Sequence, residues 1–185
     1  CTFGDVETGV NYATVISTNS GLWRYLIGDT VVFTSLYPHR IKITGRTKSF
    51  INAFGEEVIM ENAEKALMRA CKDTGAIIKE YTAGPIYMSD DSKGGHEWMI
   101  EFENPPLHLD QFTEVLDKTL SSVNSDYEAK RYKNLTLMLP KVVSLEAGTF
   151  YKWMQKRGKL GGQNKIPRLA NDRKYLDELH DILTR

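Results

Sequence analysis

Alternating apolar and polar residues near the start of the chain predict β-strands. In residues 11–18, NYATVIST, every second side chain falls on the same face of a strand. The next tract, LWRYLIGDTVVF, predicts a strand, a turn at Gly28-Asp29 and a second strand. A hairpin follows in RIKITG and KSFINAFG, with its bend at Gly45-Arg46. The first part of the chain is therefore predicted to be all β.

Two longer tracts have the period of an amphipathic helix. Residues 58–74 repeat apolar positions at helical spacing, and Gly75 follows as the expected helix stop. Residues 109–123 form the second tract, with Asp110 where a negative charge complements the helix dipole. Between them lie two strand patterns, AIIKEYTAGPIYM and HEWMIEFE, which a polar loop separates. We expect these two strands to be antiparallel neighbours.

The remainder of the chain completes an α+β pattern. It predicts a strand in NLTLMLPKVVSLE, a short helix in GTFYKWMQKRG, a loop in GGQNKIPRLAND and a closing helix in DRKYLDELHDILTR. This order favours a ferredoxin-like domain in which a small, mostly antiparallel sheet carries its helices on one face. We assign this domain to residues 40–185. Residues 1–39 are assigned to the last strands of a larger, truncated N-terminal domain, because the chain opens close to a strand, at Cys1 rather than Met.

The composition argues against several classes of protein. Apolar residues make up 41% of the chain and charged residues 26%, which allows a core without disulfides or a metal ion. Lys plus Arg and Asp plus Glu each number 24, so the basic excess typical of a nucleic-acid partner is missing. The two cysteines and four histidines lack metal-ligand spacing, and no apolar run is long enough to cross a membrane. With no secretory signal pattern, we predict a cytoplasmic protein without a metal site.

Three residues have side chains suited to binding a nucleotide or another anion. Asp29 offers two carboxylate oxygens that match the vicinal hydroxyls of a ribose. Arg46 offers a planar fork of donors suited to phosphate oxygens. Lys165 carries a charge on a long stem within the Gly-rich loop GGQNKIPR. Each is also an ordinary turn or loop residue, and residue type leaves both interpretations open.

Two further polar features are assigned no chemistry. The segment SDYEAKR is expected to cap and solvate a short helix, and His180 is expected on the exposed side of the last helix. No nucleophile elbow or Walker sequence is present.

Several motifs together resemble one known family. In order along the chain they are YATVISTNSGLWRYLIGDTVVF, GRTKSFINAFGEEVIMENAEKAL, NSDYEAKR, GTFYKWM and GQNKIPR. They resemble the C-terminal third of the auxin-responsive Gretchen Hagen family of acyl acid amido synthetases, in its bacterial branch, and they cover nearly the whole chain. The resemblance implies the C-terminal lid fold of the adenylate-forming superfamily, which includes acyl-CoA synthetases, luciferases and peptide-synthetase adenylation domains.

The resemblance also implies roles for individual residues. Asp29 would hold the ribose hydroxyls of ATP, and Arg46, in the hinge motif, would also approach the nucleotide. Lys48 stands where the superfamily keeps the residue about which the lid pivots. Lys165 would bridge the adenylate phosphate and the acyl carboxylate, while Arg168 would contact phosphate or support the structure.

The implied function is that of an ATP-dependent ligase. It would activate a carboxylic acid as an acyl-adenylate and conjugate it to an amine, most simply that of an amino acid, with Mg2+ accompanying the ATP. One departure concerns Asn52, because several superfamily members carry a lysine at that place, so thioester chemistry through that lysine is not supported. We expect the chain alone to be inactive and to depend on its missing N-terminal domain.

Two other functions remain open at this point. A noncatalytic small-ligand or protein-binding α+β module would use Asp29, Arg46 and Lys165 only as turn and loop residues. A promoter-binding protein is the other alternative, and the neutral net charge argues against it.

Overall fold

The computed structural model describes residues 1–46, 49–89, 93–134, 136–161 and 164–184. The chain divides into two units, Cys1–Ser49 and Phe50–Arg185. The strand His39–Arg46 lies within the first unit and pairs along its length with the strand before it. No helix within the described ranges has the length and apolarity needed to cross a membrane.

The first unit is a three-stranded antiparallel sheet. Its strands are β1 (Asn11–Ile16), β2 (Tyr25–Leu36) and β3 (His39–Arg46), in the order β1-β2-β3. The predicted alternation in β1 is confirmed, because residues 12, 14 and 16 are partly buried and those between them are exposed. The aromatic ring of Phe33 is buried and has edge contacts with Phe3, Tyr12 and His39.

Both turns predicted in this unit are wrong. β2 continues through Gly28 and Asp29 as one strand of 12 residues, and Gly28 adopts a φ of +90°, which a residue without a Cβ tolerates. The register between β2 and β3 shifts just after this point, as expected of a β-bulge. Gly45 and Arg46 lie at the end of β3, and the hairpin bend falls instead between β2 and β3. The glycine within β2 was therefore mistaken for a turn residue in the sequence-based prediction.

The second unit contains five strands and five α-helices, together with a short 3-10 helix, within its described residues. They are β4 (Phe50–Ile51), β5 (Val58–Ile59), α1 (Met60–Thr74), β6 (Ile77–Ile86), β7 (Gly95–Asn104), α2 (Leu109–Val123), α3 (Ser125–Arg131), the 3-10 helix (Tyr132–Asn134), β8 (Lys141–Leu145), α4 (Thr149–Lys156) and α5 (Lys174–Leu183). The predicted helix stop is confirmed, because Gly75 follows α1 in the left-handed conformation with a φ of +71°.

The main sheet of this unit has the order β6-β7-β8. β6 and β7 are antiparallel, which confirms the prediction, and β8 runs parallel to β7. At the other edge of β6, Leu169 makes a parallel bridge with Ala83. The segment that carries Lys165 thus leads directly into a contact with the sheet.

β7 lies at the centre of the unit and is buried on both faces. Trp98, Ile100 and Phe102 belong to a core with α1 and α2, whereas Met99 packs with α4 and α5 in a second core. Since successive side chains of a strand point to opposite faces, the helices form a layer on each side of the sheet. The predicted α+β class with a small sheet is confirmed, and α4 and α5 add a layer to the face that was expected to be open.

Candidate functional site

Asp29 and Arg46 occupy paired positions in the first unit. They are register partners on β2 and β3, so two residues distant in sequence are cross-strand neighbours. Asp29 is partly buried, and Gly28 before it has a φ in the left-handed region. Both residues lie just before the shift in register between β2 and β3. The side chain of Arg46 lies outside what the structure describes, and so does the whole of Lys48.

Lys165 lies on the wall of a cavity in the second unit. The cavity has a volume of about 620 Å³ and is formed by parts of β6, β7 and α4 together with residues 159–161 and 164–168. Its apolar wall includes Tyr151, Leu160 and Ile166. A cavity of a few hundred Å³ that combines apolar walls with a few charged groups is typical of a small-molecule site.

The carboxylates of this cavity are already engaged. Glu101 is buried and accepts hydrogen bonds from the Gly148 N–H at 2.9 Å and the Phe150 N–H at 3.1 Å, and it pairs with the Lys79 ammonium at 3.0 Å. Burial by itself would raise the pKa of Glu101, but these hydrogen bonds and the Lys79 charge outweigh it and hold the pKa below its ordinary value. Glu101 therefore stays ionised as an internal partner.

Two lysines of the same cavity have no such partner in the part of the chain that the structure describes. Among the described residues, no carboxylate lies within 4.0 Å of the ammonium nitrogen of Lys159 or Lys165. Both side chains are exposed. The cavity therefore presents two uncompensated positive charges, which favour an anionic ligand.

Arg168 makes its contacts within the protein. Its guanidinium lies 3.0 Å from Glu80 Oε2 and 4.6 Å from the centre of the Tyr81 ring. Burial raises the pKa of Tyr81 to about 12, so its ring is that of a neutral phenol under the positive charge. These contacts favour a role for Arg168 in supporting the structure over a role in contacting phosphate.

Sequence reasoning missed the buried ion pairs. Glu97 on β7 is buried and contacts Lys141 at 2.8 Å, Arg173 at 2.9 Å and His180 at 3.1 Å. His180, which was expected on the exposed side of α5, is partly exposed, and its ring contacts this carboxylate. The available signal was Glu97 beside Trp98 in the predicted strand HEWMIEFE, since a charge that becomes buried on a strand requires partners.

The segment SDYEAKR is also not simply solvated. Tyr127 is buried and donates its hydroxyl to Asp117 Oδ1 at 2.7 Å. Arg131 donates to both oxygens of the same carboxylate, at 2.6 and 2.8 Å. This segment therefore ties α3 to α2, and the expectation of a solvated helix is corrected because two of its polar groups have a buried partner.

Comparison with known families identifies both units. Residues 61–174 match the model of the GH3 family C-terminal domain, and residues 1–46 match that of the GH3 family central domain.

Curated relatives come from Arabidopsis thaliana. The chain is 25% identical over 194 residues to the 4-substituted benzoates-glutamate ligase GH3.12, covering 95% of this chain and 33% of that protein. It is 29% identical over 192 residues to the indole-3-acetic acid-amido synthetase GH3.10, covering 95% of this chain and 31% of that protein. The chain therefore spans about a third of the length of the curated relatives that it matches.

Solved structures share the fold. The GH3.15 acyl acid amido synthetase superposes with a TM-score of 0.75 at 20% identity, over 98% of this chain and 35% of that one. A 2-hydroxyisobutyryl-CoA ligase in the postadenylation state, in complex with R3-HIB-AMP, gives a TM-score of 0.52 at 15% identity, over 97% of this chain and 36% of that one. The fold thus extends from amido synthetases to an acyl-CoA ligase.

Proposed function

The chain belongs to the GH3 family, and on that premise we propose that it forms part of an ATP-dependent ligase. The ligase would activate a carboxylic acid as an acyl-adenylate and transfer the acyl group to an amine, that of an amino acid. The observation that carries the proposal is Lys165, which stands at an anion-attracting cavity within residues that match the family's C-terminal domain. The names of the relatives, a benzoate-glutamate ligase and an indole-3-acetic acid-amido synthetase, support this class of reaction.

The residues of the chain fit an ATP cofactor. Bound ATP would supply the AMP group that activates the acid, and Mg2+ would screen the phosphate charges. Asp29 would accept hydrogen bonds from the ribose hydroxyls, and Arg46, its register partner, would donate to the nucleotide. The uncompensated charges of Lys159 and Lys165 fit a phosphate-bearing ligand.

Lys165 would act as the catalytic charge. Its ammonium would stabilise the negative charge that builds on the α-phosphate as the carboxylate attacks, and a contact that strengthens in the transition state accelerates the reaction. Lys48 would be the pivot about which the second unit turns between adenylation and acyl transfer. Arg168 would support the structure rather than bind phosphate, since its guanidinium already contacts Glu80 and Tyr81.

Several finer assignments belong to the same proposal. We propose that the acid is a small carboxylic acid, that the protein acts in the cytoplasm, and that it comes from the bacterial branch of the family, consistent with only 25% to 29% identity to the Arabidopsis relatives. The 185 residues are expected to be inactive alone. They would need the regions of the relatives that this chain does not span.

The test uses a protein that joins this chain to the regions that its relatives have in addition. Pyrophosphate exchange into ATP is measured with a panel of carboxylic acids, for the wild type, Lys165→Ala and the control Lys152→Ala, which removes an exposed lysine of α4. We expect exchange with at least one acid, a loss of about 100- to 1,000-fold in Lys165→Ala, and wild-type exchange in the control.

Two outcomes would contradict the proposal. Wild-type exchange by Lys165→Ala would remove the lysine from the mechanism. Absence of exchange with every acid, together with absence of ATP binding, would favour the noncatalytic small-ligand or protein-binding module.

A further inference from the structure

The segment that presents Lys165 is fastened to the edge of the main sheet. The Ala83 N–H donates to the Arg168 carbonyl at 2.9 Å, and the Ala170 N–H donates to the Ala83 carbonyl at 3.0 Å. Leu169 and Ala170 are buried. We call residues 167–170 the strap, because they lie along the edge of β6 and form a parallel bridge with it.

One side chain extends this fastening toward the lysine. Thr82 on β6 is fully buried, and its hydroxyl donates to the Pro167 carbonyl at 2.7 Å. Proline has no N–H, so its carbonyl is the backbone group through which this residue can be held. The backbone hydrogen bonds to β6 begin at Arg168, and the Thr82 hydroxyl adds a bond to the residue before it, Pro167. Pro167 is two residues from Lys165.

We propose that Thr82 is a positioning residue for Lys165. The inference rests on the proposed role of Lys165 in adenylation. Before the lysine, Gly158 and Gly161 have φ values of +64° and +77°, a backbone conformation that suits glycine, and neither residue has a side chain that could anchor it. The strap, which follows the lysine, is the neighbouring segment that is hydrogen-bonded to the main sheet.

The fit of the strap against β6 is close. A Cβ at Gly84 would lie 3.4 Å from the Ala170 carbonyl oxygen and 2.9 Å from that of Asp172. The Arg168 guanidinium adds its contacts to Glu80 and Tyr81, the two residues that precede Thr82. A small movement of the strap is consequently transmitted to Lys165, and a displacement of about 1 Å in a catalytic group can cost about 100-fold in rate.

The experiment removes the hydroxyl and keeps the shape of the side chain. In the ligase that contains this chain, Thr82→Val is compared with Thr82→Ser, which restores a hydroxyl, and with Thr113→Val. Thr113 is a matched control, because it is a buried threonine whose hydroxyl donates to the Leu109 carbonyl at 2.9 Å on α2. Adenylation and the transfer of a preformed acyl-adenylate to the amine are measured separately.

We expect Thr82→Val to lower the kcat of adenylation about 10- to 100-fold, with little change in the KM for ATP or in the transfer step. Thr82→Ser is expected to recover most of the rate, and Thr113→Val to leave both steps unchanged. A second readout is independent of activity. Amide hydrogen exchange is expected to be faster in Thr82→Val at the Ala83 and Ala170 N–H groups, and unchanged in α1.

The outcomes separate this inference from the proposed function. Unchanged adenylation in Thr82→Val, alongside a defective Lys165→Ala, would overturn the positioning role and leave the ligase mechanism standing. Equal losses of both steps in Thr82→Val and Thr113→Val, with equal losses of thermal stability, would show a purely structural threonine. Normal adenylation by Lys165→Ala would overturn the mechanism itself.

Discussion

Asp117 provides a direct test of the buried network that joins α2 to α3. Its carboxylate accepts from the Tyr127 hydroxyl and from both the Nε and Nη2 of Arg131, at distances of 2.6 to 2.8 Å. The Arg131 side chain is only 12% exposed, so water cannot readily replace the carboxylate. The pKa of Arg131 is raised, chiefly by this hydrogen bond. Asp117→Asn keeps the shape of the side chain but removes its charge and one acceptor oxygen.

The expected cost follows from the geometry. Removing one member of a buried ion pair costs about 3–5 kcal/mol, and we expect about 3 kcal/mol because the asparagine retains one oxygen and Arg131 still donates to the Leu137 carbonyl. For a chain of this size, about 3 kcal/mol lowers the Tm by about 6–12 °C. The loss of the carboxylate charge beside Arg131, rather than any lost apolar contact, accounts for the decrease in stability.

Urea unfolding at pH 7, followed by circular dichroism, measures the effect. Asp110→Asn is the matched control, because Asp110 is an exposed carboxylate in the first turn of the same helix, where removal of the charge costs about 0.3–1 kcal/mol. A value for Asp117→Asn within 1 kcal/mol of the control would refute the reasoning. Double replacement by Asp117→Leu and Arg131→Met is expected to cost less than the sum of the single changes.

Two further predictions concern acid stability and the nucleotide. Burial would raise the pKa values of Glu97 and Glu101, but their hydrogen bonds and charged partners hold both below the ordinary value of 4.5. Because the folded-state pKa is the lower one, the stability that they confer is present above about pH 4.5 and is lost as the pH falls through the folded-state value. The urea concentration at the unfolding midpoint is therefore expected to decrease as the pH is lowered below 4.5, and to decrease less steeply in Glu97→Gln. A midpoint concentration that stays constant down to pH 3 would contradict this. In the ligase, Asp29→Ala is expected to weaken ATP binding by about 1.5–3 kcal/mol, which calorimetry would measure. The control is Asp5→Ala, which removes an exposed carboxylate of the same unit. Equal ATP affinities of the two variants would show that Asp29 does not contact the nucleotide.

Local periodicity predicted the elements that bury a continuous face. α2 begins and ends at the predicted residues 109 and 123, and α1 ends before Gly75 as expected. In these segments the pattern of burial repeats within the helix, so neighbouring residues contain the necessary information. The same holds for β6 and β7, whose pairing follows from their proximity in the chain.

Elements that depend on context were not predictable in the same way. Gly28 has a left-handed φ inside a strand, and the sequence alone does not distinguish this bulge from a turn. The second helical layer was missed because the odd-numbered positions of β7 carry Glu97, Glu101 and Glu103 beside Met99, a pattern typical of a sheet face that is open to solvent.

The candidate site required the three-dimensional arrangement. Lys165 was proposed from its motif, whereas Thr82 could not be proposed from sequence, because its partner Pro167 lies 85 positions further along the chain. The pairing of Glu97 with His180 spans 83 positions. A buried polar residue on a strand indicates that a partner exists, but the partner's identity is set by the packing of elements that are remote in sequence.

The strap also has a consequence for the solubility of the protein. A strand at the margin of a sheet exposes unpaired N–H and C=O groups that can pair with another molecule and start aggregation. The bonds of Ala83 to Arg168 and Ala170 occupy that margin of β6 from within the chain. A change that releases the strap would therefore expose the edge of β6 to intermolecular β-pairing. Such a change would lower the amount of soluble protein on storage and would also leave Lys165 without its fixed position.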